Sequence, residues 1–513
     1  MKKFLVALLV ICVAFSCFSF AVFAEEAATE NTGDTNTATK TVESLVGAYY
    51  LQGECSYGSL PGGATYQTEY DWSISDQLAK ALDGTNRVPF YAGENEDGSL
   101  FFDRMAQQAF KYEIEYAISA GIDFIAYRYY PGFGSVGGQK KTLQFMNNQL
   151  KMHSTLAGQD IGFSKEVDFA LVLDEDFNAA KDADLIIDEF IVVKGYLTAA
   201  DGRPVVFILW NDDIATQISS TNKKLAKVIA DGHNPKKNAP ATLFDESIES
   251  MYVVALNAPS YEEAIAAGAD AISWYEGSGT DGEAYTSMTQ KVEANWSSAE
   301  SNVIPNVVTG FDKRVLAANP IEVTMKKYSS DRTTSVRYSR TGTESDYVAA
   351  ATPAELVEHL KKAVATTNKP QDFGAVMVYA WDDFAGGAYL CPTKTDTEFE
   401  YEFSYLKAMR EYFYGTADGF PVMESPYGPE ATATPGPGEE GNTNAVGGFS
   451  LFGLDMISSI AILVGIIVVV VVVIVVIASS SKKKKPAEKA KKTEPEKEPE
   501  KEPEKESEKD ENK

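Results

Sequence analysis

Short apolar runs of strand length recur along the middle of the chain, separated by longer segments with helical spacing. The strand-like runs fall at 46–50, 124–130, 169–174, 205–210, 252–256, 271–276, 303–310 and 375–380. They lack the polar alternation of a half-solvated strand, which is the pattern of strands covered on both faces. Between them, residues 103–120 place Phe110, Ile114, Ala117 and Ile118 on one helical face before Gly121 stops the helix. A shorter helix is expected over 260–267, ending at Gly268. Thr352-Pro-Ala-Glu355 has the form of a capping box with proline at the first helical position, opening a helix that runs through Ala365. Buried runs alternating with helices imply parallel strands. Eight of them predict an α/β fold, a (β/α)8 TIM barrel, with an open doubly wound sheet as the alternative.

The hydropathy changes character at both ends. Met1-Lys2-Lys3, an apolar run over 4–22 and small residues at 21–24 form the three parts of a secretory signal peptide, with cleavage expected after Ala24. Residues 25–41 read as a disordered linker, and 416–455 as a Pro/Gly/Thr-rich stalk. The almost unbroken Ile/Val/Ala/Leu run within 456–478 would reach roughly 33 Å as a helix, enough to cross a bilayer once. The lysine cluster 482–485 follows it, and the positive-inside bias puts that cluster in the cytoplasm. Residues 479–513, rich in Lys, Glu and Pro, predict a disordered cytoplasmic tail. The expectation is a single-pass protein of the cell membrane, bacterial in type, whose large domain (42–415) is extracellular.

Charge and cysteine count refine this. The formal net charge is -28. Lysines and acids nearly balance in the tail, so the acidity belongs to the exported part and argues against nucleic-acid binding there. His153, His233 and His359 sit in unrelated contexts, expected to be surface or helix positions, so neither a metal site nor an organic cofactor is implied. Cys12 and Cys17 leave with the signal. Cys55 follows the first strand and Cys391 the eighth, and barrel closure makes those strands neighbours, so a disulfide is expected between them. The stretch 326–348 is too polar and too long for an ordinary barrel loop, and suggests a hairpin overhanging the mouth.

The candidate chemistry lies where the strands end. The first closes on Tyr49 and Tyr50, the second on Arg128, Tyr129 and Tyr130, and the third on Asp174, Glu175 and Asp176. The fourth closes on Trp210, Asn211 and Asp212, the sixth on Trp274 and Glu276, the seventh on Asp312, and the eighth on Trp381, Asp382 and Asp383. In a barrel these positions converge on the face where active sites form. Aromatic faces beside carboxylates suit a saccharide, whose ring has apolar faces and whose linkage needs acid–base chemistry.

Several phrases resemble glycoside hydrolase family 99-like proteins, including WbsX-type domains. They are Ala120-Gly-Ile-Asp-Phe124 with Tyr127 to Tyr130, Tyr196 with Asp201-Gly-Arg-Pro-Val-Val206, Gly268-Ala-Asp-Ala271, Thr309-Gly-Phe-Asp312, and 381–392. The last is also similar to a segment of family 71 α-1,3-glucanases. The resemblance implies a (β/α)8 fold and hydrolysis of α-linked polysaccharide by two carboxylates in the final segment. Asp383 takes the place of the first, but Gly386 stands where the second should be. Glu276 is the leading candidate to fill that vacancy, ahead of Asp174, Glu175, Asp212 and Asp312. Alternatively the protein binds glycans without cutting them, or performs another carbohydrate reaction such as glycosyl transfer. Tyr49, Tyr50, Tyr129, Tyr130, Trp210, Trp274, Trp381 and Tyr389 would form the sugar platform, with Arg128 and Asn211 bonding hydroxyls and Asp174, Asp312 and Asp382 lining the rim.

Overall fold

The computed structural model describes residues 39–51, 71–94, 97–102, 107–131, 147–159, 167–231, 244, 247–298, 302–328, 333–367, 373–395 and 401–422. The expected signal peptide, most of the linker, nearly all of the stalk, the membrane span, the tail, Cys55 and His233 lie outside them. Among the described residues no helix is long and apolar enough to cross a membrane.

Strands form at all eight apolar runs: β1 (Leu45–Tyr50), β2 (Phe124–Arg128), β3 (Asp168–Leu173), β4 (Val205–Leu209), β5 (Tyr252–Leu256), β6 (Ala271–Ser273), β7 (Asn306–Val308) and β8 (Ala375–Tyr379). Nearly every residue in them is buried. All neighbours pair in parallel, in the order β6-β5-β4-β3-β2-β1-β8-β7. The two outer strands meet through a parallel bridge between Ile272 of β6 and Val303, just ahead of β7. There Ile272 donates to the Asn302 carbonyl (3.2 Å) and accepts from the Ile304 amide (2.9 Å). The sheet is thus a ring in chain order, the (β/α)8 barrel, and the open doubly wound alternative falls.

The helices fill the intervals. They are α1 (Asp71–Leu82), α2 (Gln107–Ser119), α3 (Asn148–Gln159), α4 (Ala179–Ile186) with a π-helical continuation over Ile187–Ile191, α5 (Ile214–Ala230), α6 (Tyr261–Ala266), α7 (Tyr285–Ser298), α8 (Arg314–Ala318), α9 (Pro353–Thr367) and α10 (Ser404–Tyr414). The capping box at α9 forms as the sequence suggests. The Glu355 amide donates to Thr352 Oγ1 (3.2 Å), and the Thr352 amide donates back to Glu355 Oε2 (2.8 Å). Ser260 likewise caps α6 through the Glu263 amide at 3.1 Å. At Gly121, φ is +88°, and a Cβ there would meet the Phe413 ring of α10 at 2.6 Å, so both backbone and space require glycine after α2.

The strand period of two decides which side chains enter the barrel. Tyr49 of β1 packs edge-on against Phe207 of β4 (5.8 Å between centroids), and Phe207 stacks on Phe124 of β2 (6.4 Å). Because β1 and β4 are not neighbours, these rings meet across the interior. Residues at the odd offset on the same strands point the other way: Tyr50, one beyond Tyr49, reaches Glu113 on α2, and Tyr127, three beyond Phe124, reaches His153 on α3.

Between α8 and α9 the chain inserts an antiparallel hairpin, Ile321–Tyr328 paired with Thr333–Arg340. It begins a few residues earlier than the polar stretch in the sequence suggests, because Ile321, fully buried, roots it in the core.

Candidate active site

Beyond β8 the chain makes a tight reversal in which Asp382 and Asp383 pair antiparallel with Tyr389 and Ala388. Gly387 takes φ +70° at the turn. The reversal turns the Asp383 carboxylate inward, where three donors from three places hold it. Gly386 N reaches Oδ1 at 2.8 Å, the Tyr379 hydroxyl reaches Oδ2 at 2.9 Å, and Arg340 Nη2 from the hairpin reaches Oδ1 at 2.7 Å. Burial alone would raise this carboxyl. The Arg340 charge and the three hydrogen bonds outweigh burial and hold it below the usual aspartate value, so Asp383 is ionised near neutrality.

Beside it lies a cluster of three phenols. Tyr275, just past β6, packs edge-on against Tyr49 and Tyr379, each at 5.1 Å, and Tyr49 lies 6.3 Å from Tyr379. Burial pushes the Tyr275 phenol up. Arg128 opposes this, while Asp383, Glu276 and Asp382 add to it. Tyr379 is pushed up by burial and then by Asp383, Glu276 and Tyr275, with Arg340 opposing. Groups from β2, from the ends of β6 and β8, and from the hairpin therefore converge on one mouth. Asp383 and Glu276 are on the same end of the barrel.

Their settings differ. Glu276 is 46% exposed with Lys313 Nζ 3.7 Å away, whereas the Asp383 side chain is 2% exposed. Across the mouth, Arg128 Nε and Nη2 donate to Asp174 Oδ2 at 3.3 and 3.1 Å. Burial lifts the Asp174 carboxyl above its ordinary value, and Arg128 offsets this only in part. Asp382, buried, accepts from the Leu51 amide at 2.6 Å. Trp210, Trp274 and Tyr389 are half-buried at the edge of the core, with Tyr389 tilted against Phe384 at 5.2 Å.

Other sequence candidates lie elsewhere. Tyr50 and Trp381 point out of the barrel, their OH and Nε1 donating to Glu113 Oε2 at 2.7 and 3.0 Å. Tyr129 is buried between the barrel and the α4 region, edge-on to Phe177 and Phe190. The Tyr130 hydroxyl donates to the Leu51 carbonyl at 2.7 Å. Tyr50, Trp381 and Tyr129 are core residues of the barrel wall, whereas the buried Tyr130 ring also lies 5.2 Å under the Arg128 guanidinium, at the edge of the mouth. The Asn211 amide group donates to the Leu209 carbonyl and to Gln217, and its carbonyl accepts from the Asp213 amide, so the side chain shapes the start of α5. Asp312 is gripped by Arg87 and Arg314, which keep its carboxyl low despite burial. Cys391 is buried, and its expected pairing with Cys55 falls outside the described residues.

Arg340 and Glu113 were not found by reading strand ends, since one sits on an insertion and the other within α2. The two described histidines are helical, as expected, but buried rather than superficial. His153 on α3 bonds Tyr127 and the Val167 carbonyl, and burial lowers it to about 4. His359 on α9 stacks on Trp296 and bonds Glu293, also lowered to about 4 by burial. It lines a polar cleft between α7 and α9, on the outside of the barrel rather than at the mouth. Among the described residues no three His, Cys, Asp or Glu side chains are grouped as a metal ion would require.

No protein-family model and no curated protein matches this sequence. Among solved structures, the chain is similar to the GH99 endo-alpha-mannosidase from Bacteriodes thetaiotaomicron in complex with Bis-Tris propane (13% identity, TM-score 0.39, covering 72% of this chain and 97% of that one). It is also similar to the xylanase-A-amylase inhibitor protein XAIP-III (13%, 0.28, 53% and 91%) and to the Bacillus cereus spore cortex-lytic enzyme SleL (12%, 0.27, 70% and 87%). These likenesses are remote, and the chemistry of the mouth rests on its own side chains.

Proposed function

We propose that this chain is a membrane-anchored, extracellular glycoside hydrolase-like protein acting on α-linked polysaccharide, with Glu276 and Asp383 as its working pair. The observation that carries the reading is the chain of contacts at the strand ends: Tyr379 bonds Asp383 at 2.9 Å and packs edge-on against Tyr275 at 5.1 Å, and Tyr275 is the chain neighbour of Glu276. A cluster of phenols floored by carboxylates, at the strand-end face of a barrel, supplies a ring platform, hydrogen bonding to hydroxyls and acid–base groups together. Asp383, buried and ionised, is suited to stabilise positive charge developing at the anomeric carbon. Glu276, solvent-accessible, is suited to exchange the proton with the leaving oxygen. The apolar run within 456–478 and the leader at 1–24 support the anchor and the extracellular placement. The full chain, in detergent, incubated with α-mannan and α-1,3-glucan, is expected to release new reducing ends. Binding without release would overturn the hydrolase assignment for those glycans.

A second reading is glycan binding without cleavage. It is favoured by Asp383 itself, whose carboxylate is nearly sealed from solvent and already engaged by three donors. The same incubation separates the two.

A further inference from the structure

A (β/α)8 barrel closes without any hairpin between its seventh and eighth strands, yet this chain inserts one there, between α8 and α9. Alternation along its second strand puts Tyr338 and Arg340 on one face. Arg340 on that face bonds Asp383 at 2.7 Å, and Tyr338 is half-buried against the core. The strand thus abuts the turn after β8. The end carrying Arg340 is anchored, because its register partner Ile321 is fully buried and the next residue, Glu322, exchanges backbone hydrogen bonds with the Gln77 amide on α1.

We infer that this hairpin is a wall of the site and that Arg340 is a positioning residue, fixing Asp383 inward and ionised so that it faces a saccharide at the mouth. The role of Asp383 toward the saccharide rests on the carbohydrate reading above, whereas the action of Arg340 on Asp383 does not. The groups facing Asp383 are Tyr379 on β8, Gly386 N in its own turn, Arg340 on the hairpin, and Tyr275 and Glu276 beyond β6, with Asp382 adjoining. Arg128 acts on the neighbouring Tyr275, and among the groups hydrogen-bonded to Asp383 it is Arg340 that carries positive charge. Without it, burial is opposed by the Tyr379 and Gly386 hydrogen bonds, and the Asp383 carboxyl moves upward.

The full chain in detergent, with Arg340→Gln and Arg340→Lys, provides the test. Urea stability is measured from pH 7 to pH 3. In the unsubstituted protein Asp383 contributes stability above the ordinary aspartate pKa, and this is lost as pH falls through its lowered value. The stability gap to Arg340→Gln is therefore expected to narrow as pH falls, Arg340→Lys to recover part of it, and the narrowing to vanish in an Asp383→Asn background. A gap that stays constant with pH would reduce Arg340 to a packing residue and overturn the inference. On glycan, Arg340→Gln is expected to lose at least tenfold in turnover, with less change in KM and the acid limb of the pH profile moved upward. Unchanged turnover would also overturn it. A protein that cleaves no glycan, yet shows the narrowing gap, overturns the hydrolase reading and leaves Arg340 as the residue that positions Asp383.

Discussion

Gly386 and Asp383 share a space that leaves no room for a side chain on the first: a Cβ at 386 would sit 2.7 Å from the carboxylate carbon of Asp383. The motif that residues 381–392 resemble has a second acid at this position, but here a side chain cannot be added without displacing the Asp383 carboxylate. Gly386→Glu is expected to add no hydrolytic activity to that of the parent, and Gly386→Ala to lower stability by about 1–3 kcal/mol through overpacking. Thermal unfolding and a reducing-end assay check both. A stable, more active Gly386→Glu variant would show that the turn yields and that the carboxylate is free to move.

Asp383 and Glu276 should separate when stability and activity are measured together. Asp383→Asn leaves the Arg340 guanidinium, itself 16% exposed, without its counter-charge, and breaking a buried pair costs about 3–5 kcal/mol. Glu276→Gln, at an exposed position, should change stability by less than about 0.5 kcal/mol. Both should abolish cleavage of any glycan that the parent protein cuts. Full cleavage by either variant would remove that residue from the mechanism.

Glu113 holds two walls of the barrel from behind, taking hydrogen bonds from Tyr50 at the end of β1 and Trp381 after β8. Glu113→Ala withdraws the acceptor from two buried donors, each costing about 1–3 kcal/mol when unsatisfied. The urea midpoint should fall accordingly, and Glu113→Gln should recover part of the loss. An unchanged midpoint in Glu113→Ala would mean that other acceptors replace it.

Acid should weaken the fold through His153. Its folded pKa of about 4 lies below the ordinary 6.5, so the unfolded chain takes up the proton first. Stability is therefore present in full above about 6.5, falls as pH drops toward 4, and levels out below, for a loss of roughly 3 kcal/mol. His359, lowered for the same reason, adds in the same direction. Chemical unfolding at pH 7, 5 and 4 measures the slope, and His153→Gln should flatten it; an equal slope in the variant would rule His153 out as the cause.

The barrel was legible in the sequence because covered parallel strands are written as local apolar runs, and each run needs only its own residues to be recognised. Side-chain direction was not legible from the same signal. Tyr49 and Tyr50 look equivalent at the end of a run, but alternation sends Tyr49 into the mouth and Tyr50 to α2. The reading that treated both as a sugar platform counted residues without counting parity. The partners of the acids were less visible still. Arg340 lies 43 residues before Asp383, and Glu113 lies 268 before Trp381, on elements whose local patterns carry no mark of the contact. The polar stretch after β7 did signal an addition to the barrel, though not the arginine that gives it purpose.

The joint between β6 and β7 is the thinnest in the ring: each strand is three residues long, and among the described residues the backbone bridge passes through Ile272, with the Ser273 hydroxyl on the Ile304 carbonyl (2.7 Å) and the Asn302 side-chain amide on the Asp270 carbonyl (3.0 Å) beside it. On warming, this is where the staves would part soonest, with the Ile272 and Ile304 amides exchanging before those of the broad β1–β8 flank. Glu276 rides four residues beyond Ile272, while Asp383 is moored to the opposite, sturdier side. The separation of the two acids is therefore governed by how tightly Ile272, Ser273 and Asn302 keep the cask shut.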